Sequence, residues 1–513
     1  MISTPHSSVA ALALSSLLLA ATGCPSSDGS CESSALCDAG SFCFEGRCVS
    51  ALPAGSCTPP AIPGAFSASN ALTSIPDPWA TTACSPTNPA TWPKRATPAA
   101  TGWTVPIRVD GVARAAPASA MVGQTVSFDV PPGTASVTIH SQAITAAPTF
   151  GYAGYSIPNS VVPTQVKAPN GGAVFVDLIN GSPPQQPYLL PGYYGGLTPI
   201  AGSFTVPATS RLLDLALSGG ALPAGGWSFL VNDWNAECAS VAGCFPSTPG
   251  DYDIAVIARP GPVVSTGTLD VAIYLANGAL TAAQASADPN YRRFVWGIGQ
   301  ILGRAGICVG AVTFFDLPAW APAKPDIDGN PPCGDLAKLF SLASPTVDGV
   351  HLFLVDNLVT GTGVTGIIGI DGSIPGPSGL PGAMSSGAAM IMGDIGNPSA
   401  GCGSTLDIQR CGSDFSAYVA AHEIGHWLGL YHTTESSGDL FDPLTDTGTC
   451  ACGSCGQGGC TASTRMAPSA CTATKGGCTG AENLMFWAVD PAVSRGALTF
   501  EQGLVARLNP AVK

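Results

Sequence analysis

A cluster of histidines places the tightest constraint on how this chain can fold. The chain has six histidines, and three of them, His422, His426 and His432, lie in the stretch HEIGHWLGLYH. Residues four apart on a helix share one face, so His422 and His426 project side by side. Gly429 follows where the chain must turn sharply, because glycine adopts a positive φ without steric cost. We therefore expect a helix that stops near Gly429 and a turn that returns His432 to the other two histidines.

Three converging imidazoles define a metal site. Three histidines with one open position are typical of catalytic zinc, whereas structural zinc sites are closed by four protein ligands. Glu423 lies about 100 degrees around the helix from His422, where it reaches a metal-bound water without binding the ion. A helix that carries three histidines by chance does not account for the full H-E-x-x-H-x-x-G-x-x-H pattern. We predict that the histidines bind zinc and that Glu423 is the general base.

These residues resemble those of the metzincin clan of zinc metallopeptidases. Members carry this zinc motif and a methionine turn beneath the metal, and AENLMFWAVD supplies Met485 for that turn. Within the clan, HEIGHWLGLYH, GDLFDPLTDT, the NLM turn and LTFEQGLVARLNP most resemble the pappalysin family. The resemblance covers about residues 265–513. It implies a metzincin-like catalytic fold in which the motif histidines bind zinc and the motif glutamate is the base.

Residues that flank the motif are candidates for supporting roles. Related enzymes often have a tyrosine two residues after the turn methionine, where this chain has Trp487. Indole only donates hydrogen bonds, so Trp487 is a candidate donor to a developing oxyanion and not a zinc ligand. Asp439, Asp442 and Asp446 are closely spaced carboxylates, which suit calcium, and pappalysin-like enzymes can carry calcium here. The alternative is a solvated acidic loop.

The cysteines and the N-terminus indicate export. Nineteen cysteines are typical of an oxidising compartment. Residues 1–23 have the pattern of a signal peptide, because the apolar run from Val9 to Ala21 is too short to span a bilayer. ATGC resembles a bacterial lipobox with Cys24 as the lipidated residue, although no Lys or Arg precedes the run. The alternative is an ordinary secretory signal. We expect a protein that is secreted or held at the cell envelope by lipid alone.

The chain divides into segments that differ in amino-acid composition and hydrophobic pattern. Residues 24–58 form a Cys-rich segment, which we expect disulfides to hold together because it is too small for a hydrophobic core. Residues 59–100 are rich in Pro, Ala and Ser and predict a linker. Residues 101–262 contain short alternating stretches separated by turns, which predict an all-β sandwich. Residues 263–513 are predicted to form the metzincin-like α/β domain.

Within that last domain, the pattern predicts a twisted mixed sheet and two main helices. The strands are GTLDVAIYLA, ICVGAVTFFDL, DGVHLFLVDNLV and GAAMIMGD. One helix covers 283–306, and the other carries the zinc motif, with Ser413 or Asp414 as its N-cap. Six cysteines follow the motif between 450 and 478. For these, disulfides are favoured over a second zinc site in an exported chain.

Two classes of function remain after these observations. The first is an exported zinc endopeptidase whose partner is a protein or peptide substrate. The second is a surface-anchored binding or adhesion lipoprotein in which peptidase activity is secondary or lost, although the intact Glu423 argues against it. Net charge is −14, which disfavours nucleic acid as a partner because its phosphates repel an acidic surface. Neither the substrate nor the oligomeric state follows from the sequence.

Overall fold

The structure of the protein is a computed structural model. It describes residues 41–44, 47–50, 57, 61–85, 88–91, 105–112, 125–143, 149–152, 155–158, 161–169, 201–207, 213, 221–233, 252–276, 280–327, 333–360, 366–395, 402–455, 465–472 and 478–513. The predicted signal peptide, 1–23, and the predicted lipidation site, Cys24, lie outside these residues. Among the described helices, none has both the length and the apolar character needed to cross a membrane.

Among the described residues, strands predominate before residue 276, and strands and helices both occur after it. The described strands are β1 Ser41–Phe44, β2 Arg47–Ser50, β3 Ser67–Ser69, β4 Val105–Val112, β5 Thr125–Val130, β6 Thr134–Ala143, β7 Thr149–Tyr152, β8 Tyr155–Pro158, β9 Val161–Lys167, β10 Ala201–Val206, β11 Gly225–Asp233, β12 Tyr252–Pro260, β13 Gly267–Leu275, β14 Ile307–Asp316, β15 Val350–Val355, β16 Gly369–Asp371 and β17 Ala388–Ile391. The described α-helices are α1 Ala282–Ala287, α2 Pro289–Leu302, α3 Asp335–Phe340, α4 Gly412–Trp427, α5 Cys452–Cys455 and α6 Phe500–Leu508.

The chain forms two compact units, Met1–Ala51 and Leu52–Lys513. In the first unit, β1 and β2 form an antiparallel hairpin in which Cys43 lies opposite Cys48. This hairpin is part of the predicted Cys-rich segment, most of which lies outside the described residues.

Antiparallel sheets make up the described residues between 105 and 260. One sheet has the strand order β10-β6-β12-β4, a second has the order β5-β11-β9, and β7 pairs with β8. Along β5, Val126, Phe128 and Val130 are buried while the residues between them are exposed. That alternation is expected of an antiparallel strand with one solvated face. The sandwich packing of 101–262 stays a prediction.

A six-stranded mixed sheet forms the framework of the C-terminal region. Its strand order is β16-β17-β15-β13-β14-β3, and every neighbouring pair is parallel except β16 and β17. The four strands predicted from the sequence are confirmed as β13, β14, β15 and β17. A mixed sheet with helices agrees with the α/β architecture predicted for 263–513.

Both faces of this sheet are covered by apolar side chains, as parallel strands require. On one face, Ile273 and Leu352 pack into a core that includes residues of α2, α4 and α6. On the other face, the ring of Tyr274 stacks between Phe315 and Phe353, with centroid distances of 5.0 and 4.3 Å. Residues of α3 complete this second core. The sheet therefore provides a rigid support for the site at the end of α4.

The single helix predicted over 283–306 is wrong, because the chain breaks between α1 and α2. Asp288 separates the two helices, and its side chain accepts hydrogen bonds from the backbone N–H groups of Asn290 and Tyr291. Pro289 follows as the first residue of α2. Proline lacks the N–H that a helix interior requires, so it is tolerated only in the first turn.

Part of the predicted linker, 59–100, is built into the mixed sheet. Strand β3 pairs in parallel with β14 at the edge opposite β16. Disulfides join Cys57 to Cys308 and Cys84 to Cys333, with sequence separations of 251 and 249 residues. The second disulfide fastens this segment to the C-terminal region, and the first fastens the end of the predicted Cys-rich segment there. Cross-links that close such long loops also restrict the unfolded chain strongly.

Candidate active site

Helix α4 positions the first two histidines. It begins at Gly412, with Cys411 as an extended N-cap that makes no side-chain capping bond. The predicted caps, Ser413 and Asp414, are therefore wrong. The Asp414 carboxylate instead accepts two hydrogen bonds, both 2.7 Å, from Nε and Nη2 of Arg293 on α2. Both side chains are buried, so this ion pair fixes α4 against α2.

The end of α4 brings the third histidine back to the first two. The helix ends at Trp427, and Gly429 has a φ of 108°. This value confirms the predicted sharp turn, because an L side chain rarely adopts it. The N–H groups of Gly429 and Leu430 donate to the carbonyls of His426 and Gly425 at 2.8 and 2.9 Å. The chain then reverses toward His432.

The three histidines converge on one point. Nε2 of His422 and Nε2 of His426 lie 3.2 and 3.1 Å from Nε2 of His432. Ligands of a tetrahedral zinc ion at 2.0–2.1 Å are about 3.3 Å apart. The nitrogens therefore already have nearly the spacing that zinc needs. Across the described ranges, these histidines form the one group of three His, Cys, Asp or Glu side chains close enough to hold a metal ion.

In each of the three histidines, the hydrogen bond that Nδ1 makes orients the ring so that Nε2 faces the other two histidines. Nδ1 of His422 and Nδ1 of His426 each lie 2.7 Å from a backbone carbonyl oxygen. Nδ1 of His432 lies 2.9 Å from Oε1 of Glu435. Because carbonyl and carboxylate oxygens only accept, each Nδ1 carries the proton and each Nε2 presents a lone pair. Three lone pairs this close repel one another unless a cation lies between them, so the residues fit a metal ion.

Burial keeps two of the imidazoles neutral. It lowers the pKa of His422 to about 3, and the nearby His432 ring makes a smaller contribution in the same direction. Burial likewise lowers the pKa of His426 well below its usual value. The neutral imidazole is the form that binds a metal, so these two ligands are ready at any pH near neutrality.

Glu423 lies next to the edge strand of the sheet. It is 5% exposed, and burial raises the pKa of Glu423 to about 8. A Cβ on Gly369, the first residue of β16, would lie 2.3 Å from Oε1 of Glu423. Burial, and then the charge of Glu423, raise the pKa of Asp371 on the same strand well above its usual range. The candidate base thus lies in a confined, water-poor position beside β16.

Met485 packs directly against the histidine helix. A Cβ on Gly425 would lie 2.5 Å from the Met485 sulfur, so only glycine permits this close approach. The Met485 N–H donates to Oδ1 of Asn483 at 2.8 Å, and its carbonyl accepts from Thr433 N–H at 2.9 Å. The second of these bonds ties the turn to the residue that follows His432.

Trp487 forms part of the cleft, but its donor is already used. Its indole Nε1–H donates to the carbonyl of Met466 at 2.7 Å. This bond occupies the single donor of the ring, which conflicts with the oxyanion role predicted for Trp487. The ring instead packs beside a small core of cysteines and Phe486, so it serves as a wall of the cleft.

The cysteines after the motif staple the loop behind Trp487. Disulfides join Cys450 to Cys471 and Cys455 to Cys478, and Cys452 is also disulfide-bonded. For these residues the predicted disulfides are confirmed over a second zinc site. Cys460 lies outside the described residues. The stapled loop includes Met466 and so holds the carbonyl that receives the Trp487 hydrogen bond.

A cleft of about 890 Å³ opens over the histidines and Glu423. Apart from them, most of its lining side chains are apolar, and all of these except Ile327 come from β16 and the residues flanking it, from α4, or from the segment after Met485. These side chains are Ile327, Ile367, Ile368, Ile370, Ile374, Phe415, Tyr418, Val419, Phe486, Trp487, Ala488 and Val489. The cleft is large enough for a segment of peptide and presents it mainly with apolar surface.

The three aspartates proposed for calcium do not lie in one cluster. Asp439 is exposed, and its carboxylate accepts from the Ser437 hydroxyl. Asp442 is buried, and burial, followed by repulsion from Asp446 and Glu501, raises the pKa of Asp442 well above its usual range. The structure therefore groups Asp442 and Asp446 with Glu501 of α6.

Sequence reasoning missed three residues that surround the site. Glu435 follows the third histidine by three residues and bonds its ring, a spacing that could have indicated such a contact. Gly369 and Asp371 lie about fifty residues before the motif on β16. No local pattern connects that strand to Glu423, because only the sheet order brings them together.

Comparison with known proteins supports the class of this site. Residues 344–433, which include α4 and all three histidines, match the family model described as Metallo-peptidase family M12B Reprolysin-like. This part of the chain is thus similar to a reprolysin-like metallopeptidase domain, which supports the metzincin-type zinc peptidase predicted from the motif. The match does not extend to the pappalysin family in particular. No curated protein matches the chain.

Two solved structures show only a weak overall likeness. One is metalloproteinase-II from Bacteroides fragilis, with 14% identity, 38% of this chain and 59% of that chain covered, and a TM-score of 0.22. The other is described as a chaperone-substrate complex, with 15% identity, 35% and 26% covered, and a TM-score of 0.20. This chain spans less than two thirds of either, and no argument below depends on them.

Proposed function

We propose that the protein is an exported zinc-dependent endopeptidase that hydrolyses peptide bonds of proteins. The observation that carries the proposal is the convergence of three Nε2 lone pairs at the spacing of zinc ligands. The family match over 344–433 supports the same class. Both point to one site at the end of α4.

Glu423 is the proposed general base of the reaction. Zinc bound at the triad lowers the pKa of a coordinated water and polarises a peptide carbonyl. Glu423 accepts the proton of the attacking water on its carboxylate and later donates it to the leaving amine. Burial alone raises the pKa of Glu423 to about 8, and a cation bound at the triad would lower that pKa, so that the ionised carboxylate is available to accept the proton. No covalent intermediate with the protein is needed.

The proposed substrate is an extended peptide that lies along β16. This strand is the edge of the sheet, and an extended chain can add to a free strand edge through its backbone. The cleft beside it is lined mainly by apolar side chains, among them Val419, Trp487 and Val489. Apolar walls favour large apolar side chains next to the scissile bond. Each Å² of apolar surface that such a side chain removes from water stabilises binding by about 25 cal/mol.

Calcium is proposed at Asp442 and Asp446 with Glu501 of α6, whose carboxylates would have to close around the ion, because they are not grouped within ligand distance of one another as the three histidines are. Asp442 Oδ2 and Asp446 Oδ1 are buried without a hydrogen-bond partner, and Glu501 lies close enough to repel Asp442. A divalent cation would remove that repulsion. Asp439 is not included because it is exposed on the loop. If calcium binds, it raises the melting temperature of the wild type and not of Asp442→Asn; equal shifts would exclude this site.

Export and lipid anchoring at Cys24 complete the proposal. The disulfides of the described region are consistent with an oxidising compartment. A labelled fatty acid fed to expressing bacteria is expected to label the wild type and not Cys24→Ser. If the wild type stays unlabelled and is released, the protein is secreted by an ordinary signal instead.

Digestion of casein or gelatin tests the proposed activity. The wild type is expected to release peptides, to stop when a zinc chelator is added, and to recover when zinc is restored. Glu423→Ala is expected to bind zinc but to release no peptides. Digestion that survives chelation or the Glu423→Ala change would refute the proposal. A peptide library digested by the same pair of proteins reports the cleavage preference.

A further inference from the structure

The third histidine is held differently from the other two. Nδ1 of His422 donates to the backbone carbonyl of Leu484, and Nδ1 of His426 donates to that of Leu430. Nδ1 of His432 donates to a side-chain carboxylate, Oε1 of Glu435, at 2.9 Å. Backbone acceptors are fixed by the fold, whereas this carboxylate depends on one side chain. His432 is therefore the ligand whose orientation a single substitution can change.

The local chain explains why His432 needs this support. His422 and His426 stand on α4, but His432 lies beyond the helix, after the Gly429 turn. The backbone of Glu435 is anchored on both sides: its N–H donates to Leu440 O, and its carbonyl accepts from Gly438 N–H, both at 2.9 Å. The carboxylate is 15% exposed and the imidazole 18%, so both partners are largely sheltered from water.

We propose that Glu435 is a positioning residue for the metal ligand His432, an inference that rests on the proposed zinc function. The hydrogen bond holds the proton on Nδ1, directs the Nε2 lone pair toward the other two histidines, and fixes the plane of the ring. The negative charge also strengthens Nε2 as a donor to a cation. Hydrogen-bonded partners of metal-binding histidines typically contribute about 10- to 100-fold to metal affinity.

Zinc affinity of the full-length protein measures this contribution without any need for turnover. Metal-free wild type, Glu435→Gln and Glu435→Ala are titrated with zinc in competition with a chromogenic chelator. Glu435→Ala is expected to bind zinc about 10- to 100-fold more weakly than the wild type. Glu435→Gln keeps an oxygen acceptor for Nδ1–H but loses the charge, so its affinity is expected to lie between the two.

Glu482→Gln is the matched charge control. Glu482 lies near the methionine turn, and its backbone carbonyl, which the substitution retains, accepts from Arg495 and Ala497. This variant is expected to bind zinc like the wild type. The melting temperature of each metal-free protein separates positioning from folding. Glu435→Gln is nearly isosteric with the wild type, so it carries the test if Glu435→Ala folds poorly.

The possible results distinguish this proposal from the proposed function. Wild-type zinc affinity in Glu435→Gln and Glu435→Ala would overturn the role of Glu435 and leave the peptidase proposal intact. Weakened zinc affinity in both variants, with a wild type that binds zinc but cleaves no protein, would support Glu435 and refute the peptidase. A wild type that binds no zinc would overturn both.

Discussion

Replacement of Gly369 by alanine tests whether the position of the Glu423 carboxylate controls the reaction. A Cβ at Gly369 would lie 2.3 Å from Oε1 of Glu423 and 2.8 Å from Cγ and Cδ. Ordinary contact begins at 3.4 Å, so the carboxylate must retreat by about 1 Å. A displacement of that size at a reacting group costs about 100-fold in rate. We therefore expect kcat/KM to fall about 100-fold in Gly369→Ala.

The fold and the metal site should survive this substitution. Gly369 does not have a positive φ, and the side chain it displaces is the flexible end of Glu423. The assay is hydrolysis of a fluorescence-quenched peptide by zinc-loaded protein, with zinc content and melting temperature measured on the same samples. Gly393→Ala is the matched control, because a Cβ there would meet no atom within 4 Å.

A clear result would refute the reasoning about Gly369. If Gly369→Ala and Gly393→Ala both cleave the peptide as fast as the wild type, Glu423 does not act from its position beside β16. If Gly369→Ala loses zinc together with activity, the substitution has disturbed the histidines. The claim that it acts only by displacing the Glu423 carboxylate would then be wrong.

Further predictions concern stability. Arg293→Ala should lower the free energy of unfolding by about 3 to 5 kcal/mol, because it leaves the buried Asp414 carboxylate unpaired; an unchanged urea midpoint would contradict this. Gly425→Ala should cost about 1 to 3 kcal/mol, because its Cβ would lie 2.5 Å from the Met485 sulfur, and a wild-type melting temperature would show that the turn adjusts freely. In the metal-free protein, burial raises the pKa of Glu423 from 4.5 to about 8, so the folded form retains a proton that the unfolded form releases. The wild type should therefore lose up to about 4 kcal/mol relative to Glu423→Gln as the pH rises from about 4.5 to about 8, and parallel unfolding midpoints would disprove the shift.

The histidine site could be predicted because its information is local. The i, i+4 spacing of His422 and His426 and the glycine at 429 specify a helix, its end and the return of His432 within eleven residues. The sequence also contained the signal for the helix break at Pro289. Asp288 is a suitable N-cap, and proline is favoured in the first turn of the helix that follows. The apolar residues at helical spacing from Phe294 to Leu302 led to a single helix that was extended back across this break.

What could not be predicted depends on contacts between distant segments. Strand β3 joins the sheet beside β14 although more than 200 residues separate them, and its short, partly exposed sequence carries no strong strand pattern. Gly369 reaches Glu423 only because β16 takes the edge beside β17. The donor of Trp487 is occupied by a carbonyl in a disulfide-stapled loop, a partner that the spacing from Met485 does not reveal.

Titration of the metal-free protein with zinc, with peptide hydrolysis recorded at each addition, tests the central claim most directly. The account predicts that activity rises in proportion to added zinc and reaches its plateau at one ion per chain. It also predicts that Glu423→Gln takes up the same single ion and stays inactive. Hydrolysis before any zinc is added, or full activity in zinc-loaded Glu423→Gln, would contradict it.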